Sequence, residues 1–397
     1  MKICIVTPIY ERTTSSNGAT PVVHYFAKEW VKLGHEVVVY NLEVKFPDIY
    51  YRFARLFQKR LSSRLGMPIP STIPHEFDDI FDGVVVHRRL ISKIVPHSRF
   101  SESEILRVVN LIKNDFVNED IPDYFIGHWD NPSLEVLHHL KAFFHKPTAL
   151  VFHSNCFSLE KTYREDTISL LKDLDVIGFR NNASQKDFEN KYFVPKNTFI
   201  AYSGVSEVFL KAGEHFQKHF SDSMNQLIYV GLLINRKYPL NILTASTNVY
   251  KDDFHLTYVG DGAEKATILS EYAANGKIGK IDFTGRIPRD KIISHLKESD
   301  IFVMISKAEV FGLVYLEAMA LGVIPIGSRN EGIDGIVIDG YNGFLCEAGN
   351  TSELENILLK IRSMPKEELN VISENAKATA FNFSDKKVAE KYLSSLI

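Results

Sequence analysis

Two glutamates eight positions apart, Glu309 and Glu317, lie in the stretch IFVMISKAEVFGLVYLEAMALGVIPIG, which runs from Ile301 to Gly327. Glu317 is the only charged side chain of the run LVYLEAMAL, so a helix there has no wide solvated face for it. An unpaired buried carboxylate costs on the order of several kcal/mol. Either a protein cation or a ligand hydroxyl must therefore meet it. Glu309 falls in the loop before the helix, where the amides of Phe311, Gly312 and Leu313 face outward at the positive end of the helix dipole. Two carboxylates beside an anion-binding helix start suit a polyhydroxylated, phosphorylated ligand. The same pair also suits a Glu309 that caps the helix and a Glu317 joined to a neighbouring Lys or Arg.

Other groups could serve such a ligand. QLIYVGLLINRKYPL reads as a strand followed by a loop carrying Arg236 and Lys237, a second phosphate-binding candidate. IPDYFIGHWDN and KPTALVFHSNC read as strands ending at His128 and His153. One histidine at a strand end is commonly a structural hydrogen-bonder; two at the edge of one sheet favour a site. The loop ERTTSSNGATP after the first strand holds Asn17 and Gly18. It lacks both the GxGxxG spacing of dinucleotide enzymes and the GK[ST] of a P-loop, which argues against hydride transfer and against nucleoside triphosphate hydrolysis.

The elements around these residues follow a βαβ rhythm. MKICIVTPI, the helix HYFAKEWVKLG and the strand HEVVVYNL open the chain, and further strands alternate with helical stretches toward the end, the signature of parallel-sheet α/β domains. Its 397 residues suffice for two domains. Residues 1–206 form the first, 207–225 read as a polar, helix-like linker without core pattern, and 226–382 form the second. Residues from about 383 to 397 are a closing helix with an apolar stripe at Val388, Tyr392 and Leu393.

Net charge is -3, so no global positive field supports nucleic acid binding. Cys4, Cys156 and Cys346 are far apart and show no zinc or disulfide spacing, which fits a reducing cytoplasm. No run approaches the ~18 apolar residues of a spanning helix and no long leader opens the chain. Within 51–65, YRFARLFQKRLSSRL carries Arg52, Arg55, Lys59, Arg60 and Arg64 with no acid, and Phe53, Leu56, Phe57 and Leu61 at helical spacing. Such a helix either meets an anionic membrane surface or anionic acceptor, or packs its apolar stripe on its own domain.

EVFGLVYLEAMALGVIPI closely resembles the signature of family 4 retaining glycosyltransferases on the GT-B fold. The likeness covers most of the chain, most densely from about Tyr229 to Lys360. Gly231 and Lys237 match the family's diphosphate loop, Gly260, Asp261 and Gly262 the next turn, and Gly285, Arg286 and Ile287 the loop that supports the nucleotide base. Three departures stand out: Leu232 replaces an arginine, Tyr238 a glycine, and Glu331 a glycine.

The resemblance implies two Rossmann-like domains facing each other across a cleft, with the closing helix crossing back to the first. It implies that Glu317 holds the nucleotide ribose, that Glu309 and the amides of Phe311 to Leu313 hold the donor sugar, and that Lys237 holds the diphosphate; Arg236, close by in the same loop, is the candidate to stand in for the arginine missing at position 232. Gly18, Gly262, Arg286 and Ile287 complete the donor site, His153 lies beside the anomeric carbon, and Asn17 and His128 lie on the acceptor side. The expected catalytic groups are His153, Glu309 and Lys237, with neither metal nor cofactor. The expected reaction moves a hexose or N-acetylhexosamine from a nucleotide diphosphate sugar, UDP-linked first and GDP-mannose second, to a glycan or lipid-linked acceptor. A silent nucleotide-sugar-binding subunit and a sugar-nucleotide epimerase or hydrolase are the alternatives.

Overall fold

The computed structural model describes residues 1–10, 21–55, 72–94, 99–116, 120–153 and 166–396. Asn17, Gly18, Cys156 and residues 56–65 of the basic stretch lie outside them. The chain divides into two compact units, Met1–Tyr202 with Val388–Ile397, and Ser203–Lys387.

In the first unit the strands are β1 (Lys2–Thr7), β2 (Glu36–Lys45), β3 (Phe77–Phe81), β4 (Val84–Ser92), β5 (Tyr124–His128), β6 (Thr148–Val151), β7 (Val176–Phe179) and β8 (Thr198–Ile200). They line up as β3-β4-β2-β1-β5-β6-β7-β8. All neighbours are parallel except β3, which pairs antiparallel with β4. The hairpin's turn residues, Asp82 and Gly83, both have positive φ, the Asp-Gly turn that matches strand twist. Central strands such as KICIVT are buried on both faces, as a parallel sheet covered by helices requires. Helix α1 (Val22–Lys32) and helix α2 (Glu102–Asp115) are among those covering it.

The closing helix, Asp385–Ser394, packs on this first unit. Tyr392 sits edge-on to Phe26 and Trp30, and the Trp30 indole N–H donates to the Ala389 carbonyl at 3.0 Å. Buried aromatics of this size each contribute roughly 1.5–3 kcal/mol through apolar burial.

The second unit holds β9 (Gln226–Val230), β10 (His255–Val259), β11 (Lys280–Gly285), β12 (Ile301–Val303), β13 (Ile324–Ser328) and β14 (Phe344–Cys346). The order β11-β10-β9-β12-β13-β14 reverses direction beside β9, a topological switch point of the kind where open α/β sheets place ligands at the carboxyl ends of strands.

Residues 207–225 are not a free linker. Helix α3 (Glu207–Glu214) buries Phe209, Met224 is buried, and Asp300 accepts the amides of Ser221 and Gln226 at 3.0 and 3.1 Å. The segment is fastened by polar bonds and two apolar anchors, so it shows no core periodicity. In the basic stretch, a helix over 48–55 buries Tyr51 and Ala54 and leaves Phe53 58% exposed. Phe53, the residue of the expected apolar stripe that lies among the described residues, thus does not face the domain core.

Candidate active site

The loop after β9 and the loop after β12 are bound together backbone to side chain. The Arg236 carbonyl accepts the Lys307 amide at 2.7 Å, and the Arg236 guanidinium donates to the carbonyls of Lys307 and Ala308 at 3.1 and 3.2 Å. Lys237 Nζ lies 2.9 Å from Glu309 Oε2, and Arg236 Nη1 lies 3.9 Å from the same oxygen. Lys237 and Glu309 are both largely buried, 12% and 14% exposed at the side chain. Lys237 and Arg236 thus meet Glu309 at the switch point, where an entering anion would compete with the carboxylate for them.

Helix α4 (Leu313–Ala320) begins directly after Gly312, whose φ of 73° is left-handed. A Cβ there would lie 2.6 Å from the Tyr315 ring, so the turn that starts the helix depends on glycine. Phe311 is buried and Leu313 is half-buried. Gly262 serves a close approach between loops. A Cβ at that position would stand 2.2 Å from the Leu233 carbonyl oxygen, because the loop after β10 presses on the loop after β9. There the Leu233 amide donates to Asp261 O and its carbonyl accepts from Glu264, both at 3.0 Å. Arg286, just past β11, is exposed and makes no ion pair among the described residues; Ile287 beside it is half-buried.

Glu317 is 3% exposed and does have a protein partner. Arg289 Nε and Nη2 both contact its Oε1. Of the two sequence readings, a cation beside Glu317 is what the molecule contains, and Arg289 is a site residue that sequence reasoning missed. Its signal was present in GRIPRD, where Arg289 follows Arg286 by three residues. Burial raises the Glu317 carboxyl above its ordinary range, and the Arg289 charge opposes that rise.

Glu331, where the resembled family has glycine, accepts the amides of Ala308 and Glu309 at 2.9 and 2.8 Å. Burial raises its carboxyl too, with the charge of Glu309 adding to the rise while the two amides counter it. The carboxylate fixes the loop backbone that aims Glu309 at Lys237, and it occupies two amides that a bare loop would offer to an anion.

In the first unit, His128 ends β5 and His153 stands two residues past β6. The structure brings them together: His128 Nδ1 and His153 Nε2 are 2.9 Å apart. Trp129, at φ 58°, stacks on His153 with ring centroids 3.8 Å apart. On the other side the Tyr392 hydroxyl is 3.3 Å from His128 Nε2. Tyr392 is buried and His128 is the hydrogen-bond partner its hydroxyl reaches, so the hydroxyl donates; a buried O–H without an acceptor would cost about 1–3 kcal/mol. His128 then carries its proton on Nδ1 and donates it to His153 Nε2, leaving His153 protonated on Nδ1.

Burial and the nearby Arg180 charge hold both imidazoles neutral, His128 at about 3 and His153 well below the usual histidine range. Arg180 is itself brought down to about 10 by burial.

Removing Arg289 leaves Glu317 buried without a cation. Arg289→Ala should cost about 3–5 kcal/mol at neutral pH, less at acid pH, where Glu317 takes up a proton. Denaturant unfolding of the variant at two pH values reads this; a loss below about 1 kcal/mol, or one independent of pH, would mean that Glu317 is held by something else. The histidines give the opposite pH trend. Unfolded imidazoles protonate below about pH 6.5 while the folded pair resists, so their contribution is complete above that pH. It is lost as pH falls toward the folded values, by up to about 1.4 kcal/mol per pH unit per histidine. His128→Gln should flatten the fall in unfolding free energy between neutral and mildly acid pH; identical slopes for variant and parent would contradict this.

Residues 211–379 match the family model for glycosyl transferases group 1. The sequence is 25% identical over 363 residues to an uncharacterized glycosyltransferase of Methanocaldococcus jannaschii, covering 87% of this chain and 95% of that one. It is 31% identical over 175 residues to the N-acetyl-alpha-D-glucosaminyl L-malate synthase of Bacillus anthracis, a match spanning 43% of this chain and 45% of that one. Among solved structures, the sucrose-phosphate synthase of Thermosynechococcus elongatus superposes with a TM-score of 0.69 at 16% identity, covering 99% and 97% of the two chains. HepE of Anabaena, crystallised with UDP and glucose, gives a TM-score of 0.66 at 17% identity, covering 100% and 99%. The chain therefore has a GT-B fold of two Rossmann-like domains, resembles family 4 glycosyltransferases, and over residues 211–379 is similar to the glycosyl transferases group 1 family.

Proposed function

We propose that this protein is a retaining, metal-independent hexosyltransferase acting on a nucleotide diphosphate sugar, with UDP-linked donors first. The observation that carries the reading is the meeting of Lys237, Arg236 and Glu309 at the carboxyl ends of β9 and β12, inside the segment that matches the group 1 model.

As the anomeric C–O bond breaks, charge gathers on the departing diphosphate. Lys237 and Arg236 stabilise it, with the start of α4 adding its dipole. The diphosphate competes with Glu309 for Lys237, and the freed carboxylate accepts the hydroxyls of the donor sugar. Arg289 keeps Glu317 ionised through Oε1, and Oε2 accepts from the ribose. His153, neutral with its proton on Nδ1, donates to the sugar beside the anomeric carbon. The acceptor hydroxyl attacks on the face the diphosphate leaves, and its proton passes to a leaving-group oxygen. These cations supply the charge that a divalent ion would otherwise supply. The acceptor is a glycan or lipid-linked saccharide of cell-surface polysaccharide or glycolipid assembly. That assignment draws on the family resemblance and on the exposed Arg52, Phe53 and Arg55 of the basic stretch, which would lie at the inner face of a membrane.

A panel of nucleotide sugars with a metal chelator, with and without a membrane extract as acceptor, tests the proposal through thermal shift and donor consumption. One donor should stabilise the protein and be consumed only with extract. Stabilisation without consumption would replace the proposal by a silent binding subunit, consumption without extract by an epimerase or hydrolase. No response would remove the donor site altogether.

A further inference from the structure

The first unit contains a cavity of about 770 Å³ at the carboxyl ends of β2 and β4, lined by Lys45, Phe46, Lys93, Arg99, Ser101 and Ser103 among others. None of these residues belongs to the histidine cluster or to the donor loops. The charges on its wall are unevenly used. Arg99 is committed to the buried Glu135, its Nε 2.6 Å from the carboxylate. The wall acid Glu104 is held by Arg107 at 3.0 Å and by the Ser92 amide at 2.8 Å. Asp48, the other acid on the wall, is exposed.

Lys45 and Lys93 remain, and among the described residues no carboxylate pairs with either. Lys93 is half-buried, with Nζ 4.1 Å from the centroid of the Phe100 ring. Burial lowers its ammonium below the usual lysine range, and the acid that counters the fall, Glu135, is already taken by Arg99. A half-buried ammonium with an aromatic face but no carboxylate beside it keeps its charge available to an entering anion. Beside the two lysines stand the hydroxyls of Ser101 and Ser103, 3.0 Å from one another. Two point cations, one at the end of β2 and one just past β4, with a hydroxyl pair that keeps one O–H to donate, suit the three terminal oxygens of a phosphate monoester better than the two of a carboxylate. The rim is apolar. Ile94 is 83% exposed, and Ile49 and Phe53 on the adjoining helix are 63% and 58% exposed.

We infer that this cavity is an acceptor subsite that binds a phosphate monoester through Lys45 and Lys93, with the remainder of the acceptor resting on the apolar rim. Its assignment to the acceptor rests on the glycosyltransferase reading; its binding of phosphate does not. A sugar phosphate and a lipid phosphate share this chemistry.

Calorimetric titration of the full chain with inorganic phosphate, phenyl phosphate and glucose 6-phosphate, and flotation with phosphatidylcholine vesicles with and without phosphatidic acid, tests the inference. UDP binding is measured in parallel. The double variant Lys45→Gln/Lys93→Gln should bind the phosphate probe about tenfold more weakly, recover with Lys45→Arg/Lys93→Arg, and keep the parent's affinity for UDP. Both lysines reach the cavity surface, so truncation spares the core; should the double variant fail to fold, the single variants carry the test, each weakening phosphate severalfold. Lysine-dependent binding of glucose 6-phosphate supports a soluble phosphorylated acceptor, and lysine-dependent flotation confined to phosphatidic acid supports a lipid phosphate. A parent that binds none of the probes, or variants that bind as the parent does, overturn the subsite. A parent that binds phosphate through these lysines but no UDP leaves the subsite standing and removes the donor reading.

Discussion

A carboxylate stays ionised inside a protein only where cations or amide dipoles replace the water it has lost, and the candidate site of the second unit meets that constraint at three glutamates. Glu309 has Lys237, Glu317 has Arg289, and Glu331 has the amides of Ala308 and Glu309. Each partner comes from a different loop: the turn after β9, the turn after β11, and the loop after β12. The three pairs therefore pin those loops against α4 and β13, and the carboxyl edge of the sheet is set in position before any ligand arrives. Preorganised charge of this kind loses little to reorganisation when a second anion replaces a carboxylate.

The first unit is organised by the opposite kind of constraint. His128 and His153 are kept neutral, and a buried tyrosine from the closing helix decides where their protons sit. Because Tyr392 belongs to the last helix and His128 to the fifth strand, the proton arrangement at His153 depends on the chain's end returning to its beginning. A neutral imidazole with a defined N–H is a hydrogen-bond donor and not an acid, which suits a group placed beside a sugar ring more than one that must ionise a leaving group.

The architecture was readable from sequence wherever burial left a simple pattern. LVYLEAMAL, MKICIVTPI and the strands ending near His128 and His153 showed it, because parallel strands and buried helices are almost wholly apolar. The pair β3 and β4 was not anticipated, although Asp82-Gly83 between alternating residues announced a hairpin. Residues 207–225 misled for a physical reason: a segment fixed by Asp300 and two anchors carries no periodicity. At the site, residue types predicted membership but not partnership. Glu317 plainly needed a cation, yet nothing in the spacing said that it would be Arg289. Glu331 looked like the loss of a glycine, and only the geometry showed that it holds the Glu309 loop. Leu232 plays no comparable part. Its side chain replaces a charge the resembled family carries, and Arg236, tied to the opposite loop, is the cation standing nearest in the chain.

On the proposed function, the cation pair after β9 holds a diphosphate in exchange for Glu309. Calorimetric titration of UDP into the intact protein and into Lys237→Ala, without metal, tests it most directly. The parent should bind UDP, and the variant should bind it about tenfold more weakly or worse. A parent that does not bind UDP, or a variant that binds it equally well, would contradict it.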